Sequence, residues 1–302
     1  MINSIALSLL LGFELSYYLL ILQTGLVAHY NSDLLTLFPM FAGGVIGTAL
    51  SGKSWGKIDN PIDKILIALT LQLFLSFIYP NYNIFTLGLL GIAVGMMAPL
   101  GIYLFKAQQQ KALLSALAIA YTIGTYSFNS DVDSRLWMAL TFSAIALASA
   151  FVLKNYKIQA DTKKASHTFV SYFPLMLWIL LDSNLFETLS RHVGLDIWST
   201  HTNEIIIFHL IGLLSACLIQ MPKVRQHIFI AFLFIASYAA SYLEIPIVLA
   251  IIYPFTISYY NVIVFTYLSQ EMSLKKLAFI MIFVGWIASG LGLGLALTRL
   301  LH

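Results

Sequence analysis

The chain has 302 residues, 60% of them hydrophobic and 10% charged, with a formal net charge of +3 and a mean hydropathy of +0.87. Soluble domains carry roughly 25% charged residues, so this composition excludes a water-soluble body, and so small a net charge gives no footing for nucleic acid. Cys217 is the single cysteine, which excludes an intramolecular disulfide and a thiolate metal cluster.

Apolar runs long enough for a hydrocarbon core of about 30 Å recur along the whole length, punctuated by Pro, Gly, Asn and clusters of charge. The opening stretch MINSIALSLLLGFELSYYLLILQTG lacks the basic start and small-residue cleavage site of a secretory signal, and Glu14 interrupts it, so residues 4–28 are expected to form the first span. Further helices are predicted at 34–51, 62–79, 83–105, 112–129, 135–153, 169–190, 203–221, 226–243, 246–269 and 275–299, eleven in all, with the last carrying GWIASGLGLGLALT and open to a break. Turns as short as YPNYN and YLEIP make successive helices antiparallel neighbours.

Sorting alternate turns to opposite sides places GKSWGKIDNPIDK, KAQQQK, KNYKIQADTKKASH, PKVRQH and SQEMSLKK together. They hold all of the 16 Lys and Arg residues except Arg135, Arg191 and Arg299. The positive-inside rule then predicts a cytoplasmic N-terminus and an external C-terminus in a multi-pass inner-membrane protein. The longest basic connection divides the chain into an N-terminal six-helix bundle (1–154), a cytoplasmic linker (155–167) that can grip anionic headgroups, and a C-terminal five-helix bundle (168–302).

The halves echo each other. GFELSYY in helix one is matched by LLDSNLF in helix seven, FPMFAGGVIG in helix two by FHLIGLLSA in helix eight, and AYTIGTY in helix five by VGWIASGLG in helix eleven. Internal repetition of this kind is a signature of transporter folds. With its six-helix unit, central cytoplasmic loop and glycine-bearing second helix running into GTALSGKSWGK, the chain resembles the major facilitator superfamily over essentially its full length. In that basic turn Gly47 fits the family pattern, whereas Ser51 stands where an Asp is expected and Lys53, Gly56 and Lys57 follow with displaced spacing. The resemblance implies an all-α polytopic fold of two helical bundles related by a pseudo-two-fold axis.

A carboxylate at the centre of a spanning helix costs roughly 2.5–3.5 kcal/mol on insertion scales, so it marks a pathway or a partner. Glu14 shares a helical face with Tyr17, Tyr18 and Gln23, and Asp182 lies beside Trp178 and Phe186 with Ser183 and Asn184 adjacent. In the family this chain resembles, helices one and seven line a central cavity, which implies that both acids face one aqueous space and exchange a proton or balance a cation there. His209, inside IIIFHLIGLL, is a proton-relay candidate or a hydrogen-bonded core residue. Glu187 and Arg191, four apart with the acid first, form an interfacial ion pair or an outer gate, and His192 and His201 read as solvated loop residues.

Helix ten combines Pro254 with Tyr253, Tyr259, Tyr260 and Asn261, a kinked aromatic wall for an organic solute or an ordinary packing helix. Met96, Met97 and Pro99 have the same two readings in the first half. The glycines of AGGVIG and SGLGLG allow close helix packing rather than phosphate binding. No P-loop is present, so ATP is not the direct energy source, and no cofactor is expected. These readings converge on a non-enzymatic secondary transporter of a small organic solute in the lipid bilayer, coupled to protons and working by alternating access. Efflux is favoured because an acidic, aromatic cavity suits cationic compounds. Two alternatives stay open: a membrane enzyme acting on a lipid-linked substrate through ETLSRHVGLDIWSTHTNE, and a metal-permeation protein using Glu14, Asp182 and His209, for which no ligand-spacing motif exists.

Overall fold

The computed structural model describes residues 2–31, 33–56, 58–105, 110–155, 169–191, 195–219, 221–271 and 273–298. Among these the chain is helical, with no strand. In order it forms α1 (Ile2–His29), α2 (Leu34–Ser51), α3 (Pro61–Ser76), α4 (Ile84–Phe105), α5 (Gln110–Tyr126), α6 (Asp133–Asn155), α7 (Phe169–Leu189), α8 (Thr202–Leu218), α9 (Lys223–Tyr242), α10 (Pro246–Ser269) and α11 (Leu274–Thr298). Eight of these are long and apolar enough to cross a membrane, which makes the chain a multi-pass membrane protein.

The count by length is therefore eight against the eleven spans predicted. α3, α5 and α8 stop at 16, 17 and 17 residues. α3 ends in a turn before Tyr79-Pro80 and α5 in the Ser127–Ser130 turn, whereas α8 passes into extended backbone at Ile219 ahead of Pro222. The last helix has no break; α11 is continuous, with a π-helical stretch at Ile282–Ile287. Residues 156–167 of the predicted linker, Lys57, His192 and Arg299 lie outside the described residues.

Helix starts follow local chemistry. Asp33 caps α2 by accepting from the Leu35 amide at 3.1 Å, and Asn60 caps α3 through the Ile62 amide with Pro61 in the first turn. Ser273 caps α11 through the Lys276 amide. Large side chains such as Leu35, Phe38, Phe74 and Trp137 stay exposed, as expected of faces turned to lipid rather than water.

Two compact units are present, one made of Met1–Ser166 with Thr266–Ile282 and the other of His167–Phe265 with Phe283–His302. Within the first, α2 packs most heavily on α4, α1 packs on α5 and α6, and α3 bridges α4 and α6. The α2–α4 contact is a glycine seam. A β-carbon on Gly43 would meet the Gly88 carbonyl oxygen at 2.2 Å, and one on Gly95 would meet that of Gly44 at 2.1 Å. At this distance backbones touch directly, and Thr48 adds a hydroxyl bond to the Gly95 carbonyl at 2.8 Å. The first turns of α11 pack on α2 and α4 in the same unit. Within the second unit the chief contact is α7 on α11, where Gly292 lies against the Leu180 carbonyl.

Candidate functional site

Glu14 is buried in the first unit, halfway along α1. Its Oε2 accepts a hydrogen bond from Gln72 Nε2 of α3 at 2.9 Å. The same nitrogen lies 3.3 Å from Ser143 Oγ of α6, and Ser76 Oγ lies 3.4 Å from Ser143 Oγ and 3.0 Å from the Tyr17 hydroxyl. Glu14, Gln72, Ser143, Ser76 and Tyr17 thus form one buried polar chain joining α1, α3 and α6. Glu14 Oε1 and Gln72 Oε1 have no partner in it.

The expected face of Glu14, Tyr17, Tyr18 and Gln23 holds only in part. Tyr17 is fully buried in the chain just described, while Tyr18 and Gln23 are half-buried. From Tyr18 to Leu26 the helix widens to π geometry, so the 3.6-residue period that would align Gln23 with Glu14 does not run through it. Arg135 at the start of α6 is buried against this widened stretch. It donates to the Leu20 carbonyl and Thr24 hydroxyl, each at 2.6 Å, and to the Phe128 and Ser130 carbonyls.

Asp182 sits in the second unit, half-buried on α7. Tyr253 donates to its Oδ1 at 3.0 Å and Tyr260 donates to its Oδ2, both from α10. Tyr238 of α9 donates to the Leu181 carbonyl at 2.9 Å and to Asn184 Oδ1 at 2.8 Å, so three phenols hold this turn of α7. Trp178 stacks on Phe234, which in turn touches Tyr260, and its indole donates to His227 Nδ1 at 3.3 Å.

The other candidates in the second unit have separate surroundings. His209 Nδ1 shares a hydrogen bond with Ser258 Oγ at 2.7 Å. Tyr259 packs between Phe229 and Phe255, Phe186 meets the edge of Trp198, and Asn261 is half-buried on α10. Glu187 is buried and accepts from Arg191 at 2.7 Å. In the loop beyond, Asp196 caps the short helix Ile197–Thr200 and His201 lies 4.0 Å from Glu204. Met96, Met97 and Pro99 are core residues of the first unit. Among the described residues no three of His, Cys, Asp and Glu are grouped to hold a metal ion.

Gln72, Ser143 and Tyr238 were not singled out from the sequence, although Gln72 stands out as an amide within LTLQLFLS. The basic turn after α2 also holds a surprise. Where Ser51 replaces the expected acid, Lys64 Nζ donates to the Ser51 and Lys53 carbonyls at 3.1 and 2.6 Å and lies over the Trp55 ring. No protein-family model matches the chain, and no curated protein matches it either.

Proposed function

We propose that this chain is a proton-coupled secondary transporter of a small organic solute, with Glu14 and Asp182 as its proton-carrying acids. The observation that carries the reading is the company these acids keep. Each sits on an apolar helix and is bonded only to neutral donors, Gln72 in one unit and Tyr253 with Tyr260 in the other. No ion pair reaches either acid among the described residues. A carboxylate on an apolar spanning helix without a basic partner, buried as Glu14 is or half-buried as Asp182 is, calls for a positive charge from outside, and in a transporter that charge is a proton or a cationic solute.

The packing of α1 on α5 and of α7 on α11, pairs six helices apart, supports a repeated two-bundle plan of the major facilitator type in six plus five helices. In this plan the basic turns and the N-terminus face the cytoplasm, and Glu187 with Arg191 acts as an outer gate. The aromatic surroundings of Asp182 favour organic cations, exported in exchange for protons.

Proteoliposomes with an imposed pH gradient test the proposal, with ethidium and tetraphenylphosphonium as probes. Gradient-driven flux is expected in the native chain and should vanish in both Asp182→Asn and Glu14→Gln variants that still fold. Flux of equal gradient dependence in both variants would remove the acids from the mechanism.

A further inference from the structure

The polar chain around Glu14 can be tested by counting hydrogens. Gln72 contributes two, which reach Glu14 Oε2 and Ser143 Oγ. Ser76 uses its hydrogen on the Gln72 main-chain carbonyl at 2.8 Å, so its oxygen must accept from the Tyr17 phenol and from Ser143. Every side-chain hydrogen in the cluster is then assigned, and two buried acceptors still lack one: Glu14 Oε1 and Gln72 Oε1. Exchanging the nitrogen and oxygen of the Gln72 amide does not help, because an oxygen would then face Glu14 Oε2 at 2.9 Å and again require a hydrogen between them.

A metal ion is a poor answer to this deficit. Only two oxygens are free, whereas hard cations gather six or more at once. A proton needs no room. Placed on Glu14 Oε1, it converts one orphan into a donor and can satisfy the other, closing carboxyl and amide into a pair joined by two hydrogen bonds.

We propose that Gln72 is the positioning residue that reads the protonation of Glu14, accepting the acid hydrogen at Oε1 and passing its loss on to α6. This rests on the reading of Glu14 as a proton carrier and adds how its charge is sensed. When the proton leaves, the carboxylate competes for both amide hydrogens, since bonds to an ionised oxygen are the stronger. The contact that yields is the longer one, from Gln72 Nε2 to Ser143 Oγ at 3.3 Å. The Gln72–Ser143 contact, one of two side-chain links between α3 and α6, therefore depends on a proton carried by α1, while the Ser76–Ser143 contact does not.

Other ionisable groups sit on α1 and on the helices next to it, and among the described residues none forms an ion pair with Glu14. On α1 the neighbour is the Tyr17 phenol, with Tyr82 beyond it. α3 carries Asp63 and Lys64 in its first turn, Lys64 being held by the Ser51 and Lys53 carbonyls. α6 carries Asp133 and Arg135 at one end, the latter bound to Leu20 and Thr24, and Lys154 at the other. α4 brings Tyr103 and α5 brings Lys111 and Tyr121.

Infrared difference spectroscopy on the purified chain, titrated with pH in an Asp182→Asn background and without solute or gradient, tests the proposal apart from transport. A protonated-carboxyl band that shifts in heavy water and disappears in Glu14→Gln is expected. In Gln72→Met, a substitution of similar volume, that band should move to higher frequency, because the carbonyl oxygen Oε2 has lost its donor and the acid hydrogen its acceptor. In Ser143→Ala the acid-form band should stay at its native frequency. Absence of a Glu14 band at every pH, or a band unmoved by Gln72→Met, overturns the proposal. A moved band in a chain without gradient-driven flux would leave it standing while the transport reading fell.

Discussion

Gly47 of α2 lies so close to Ile92 of α4 that a β-carbon on the glycine would stand 2.1 Å from the Ile92 carbonyl oxygen. The obstacle is backbone, which cannot rotate aside as a side chain can. Gly47→Ala and Gly95→Ala should therefore separate α2 from α4 and destabilise the chain by about 1–3 kcal/mol, the usual range for overpacking. Gly290→Ala and Gly294→Ala, with nothing within 4 Å, are the controls. They should be neutral or stabilising by up to about 1 kcal/mol through helix propensity. Thermal unfolding in detergent separates the two pairs.

Arg135 offers a second test, because its donors serve main-chain carbonyls and a hydroxyl rather than an acid. Arg135→Met should destabilise by roughly 3 kcal/mol or more, since charged hydrogen bonds contribute about 1.5–3 kcal/mol each and buried carbonyls would lose donors. Arg135→Lys should recover less than half of the loss. A single ammonium cannot reproduce the guanidinium fork across α1 and the α5–α6 turn. Urea or thermal unfolding midpoints read both.

At the exposed end of α2, pH enters directly. The Thr36 hydroxyl and the Leu35 amide bonded to Asp33 hold its carboxyl below the usual carboxylate range. A folded-state value lowered in this way stabilises above the unfolded value and is lost as pH falls through the folded one. Protection of the Leu35 amide against hydrogen exchange, corrected for intrinsic rates, should therefore decline on acidification. Asp33→Asn should keep the cap and remove the pH dependence, because asparagine caps as well as aspartate does.

Much of the helical plan is legible in the chain because apolar length and breaker residues act locally. The predicted limits 34–51 and 246–269 coincide with Leu34–Ser51 and Pro246–Ser269. Errors arise where a turn competes with the helix, as at α3, or where the helix changes pitch, as beyond Tyr17. The acids were visible because charge inside an oily helix is rare. Gln72 and Ser143 were not, because a neutral polar residue gains meaning only from what reaches it across helices. The glycines of AGGVIG form a packing seam as their spacing predicts, whereas of the three glycines in SGLGLG only Gly292 has a neighbour within 4 Å of an added β-carbon. A repeat of small residues does not reveal which face meets another helix.

The two tyrosines on Asp182 allow the strongest separation of stability from function. Tyr253 and Tyr260 serve opposite oxygens of one carboxylate, so Tyr253→Phe and Tyr260→Phe should each destabilise by about 1–3 kcal/mol by removing a donor from a half-buried carboxylate. In an Asp182→Leu background the same substitutions should lose most of that effect, giving a coupling energy in a double-mutant cycle. Asp182→Asn differs from both. A phenol accepts as well as donates, so Tyr260 can reverse its bond toward the new amide nitrogen and the fold should be retained, while the side chain can no longer carry a proton. If Asp182→Asn keeps the unfolding temperature and abolishes gradient-driven flux, the acid matters for its charge; equal loss in Tyr260→Phe and Asp182→Asn, of stability and flux together, would make it a structural anchor.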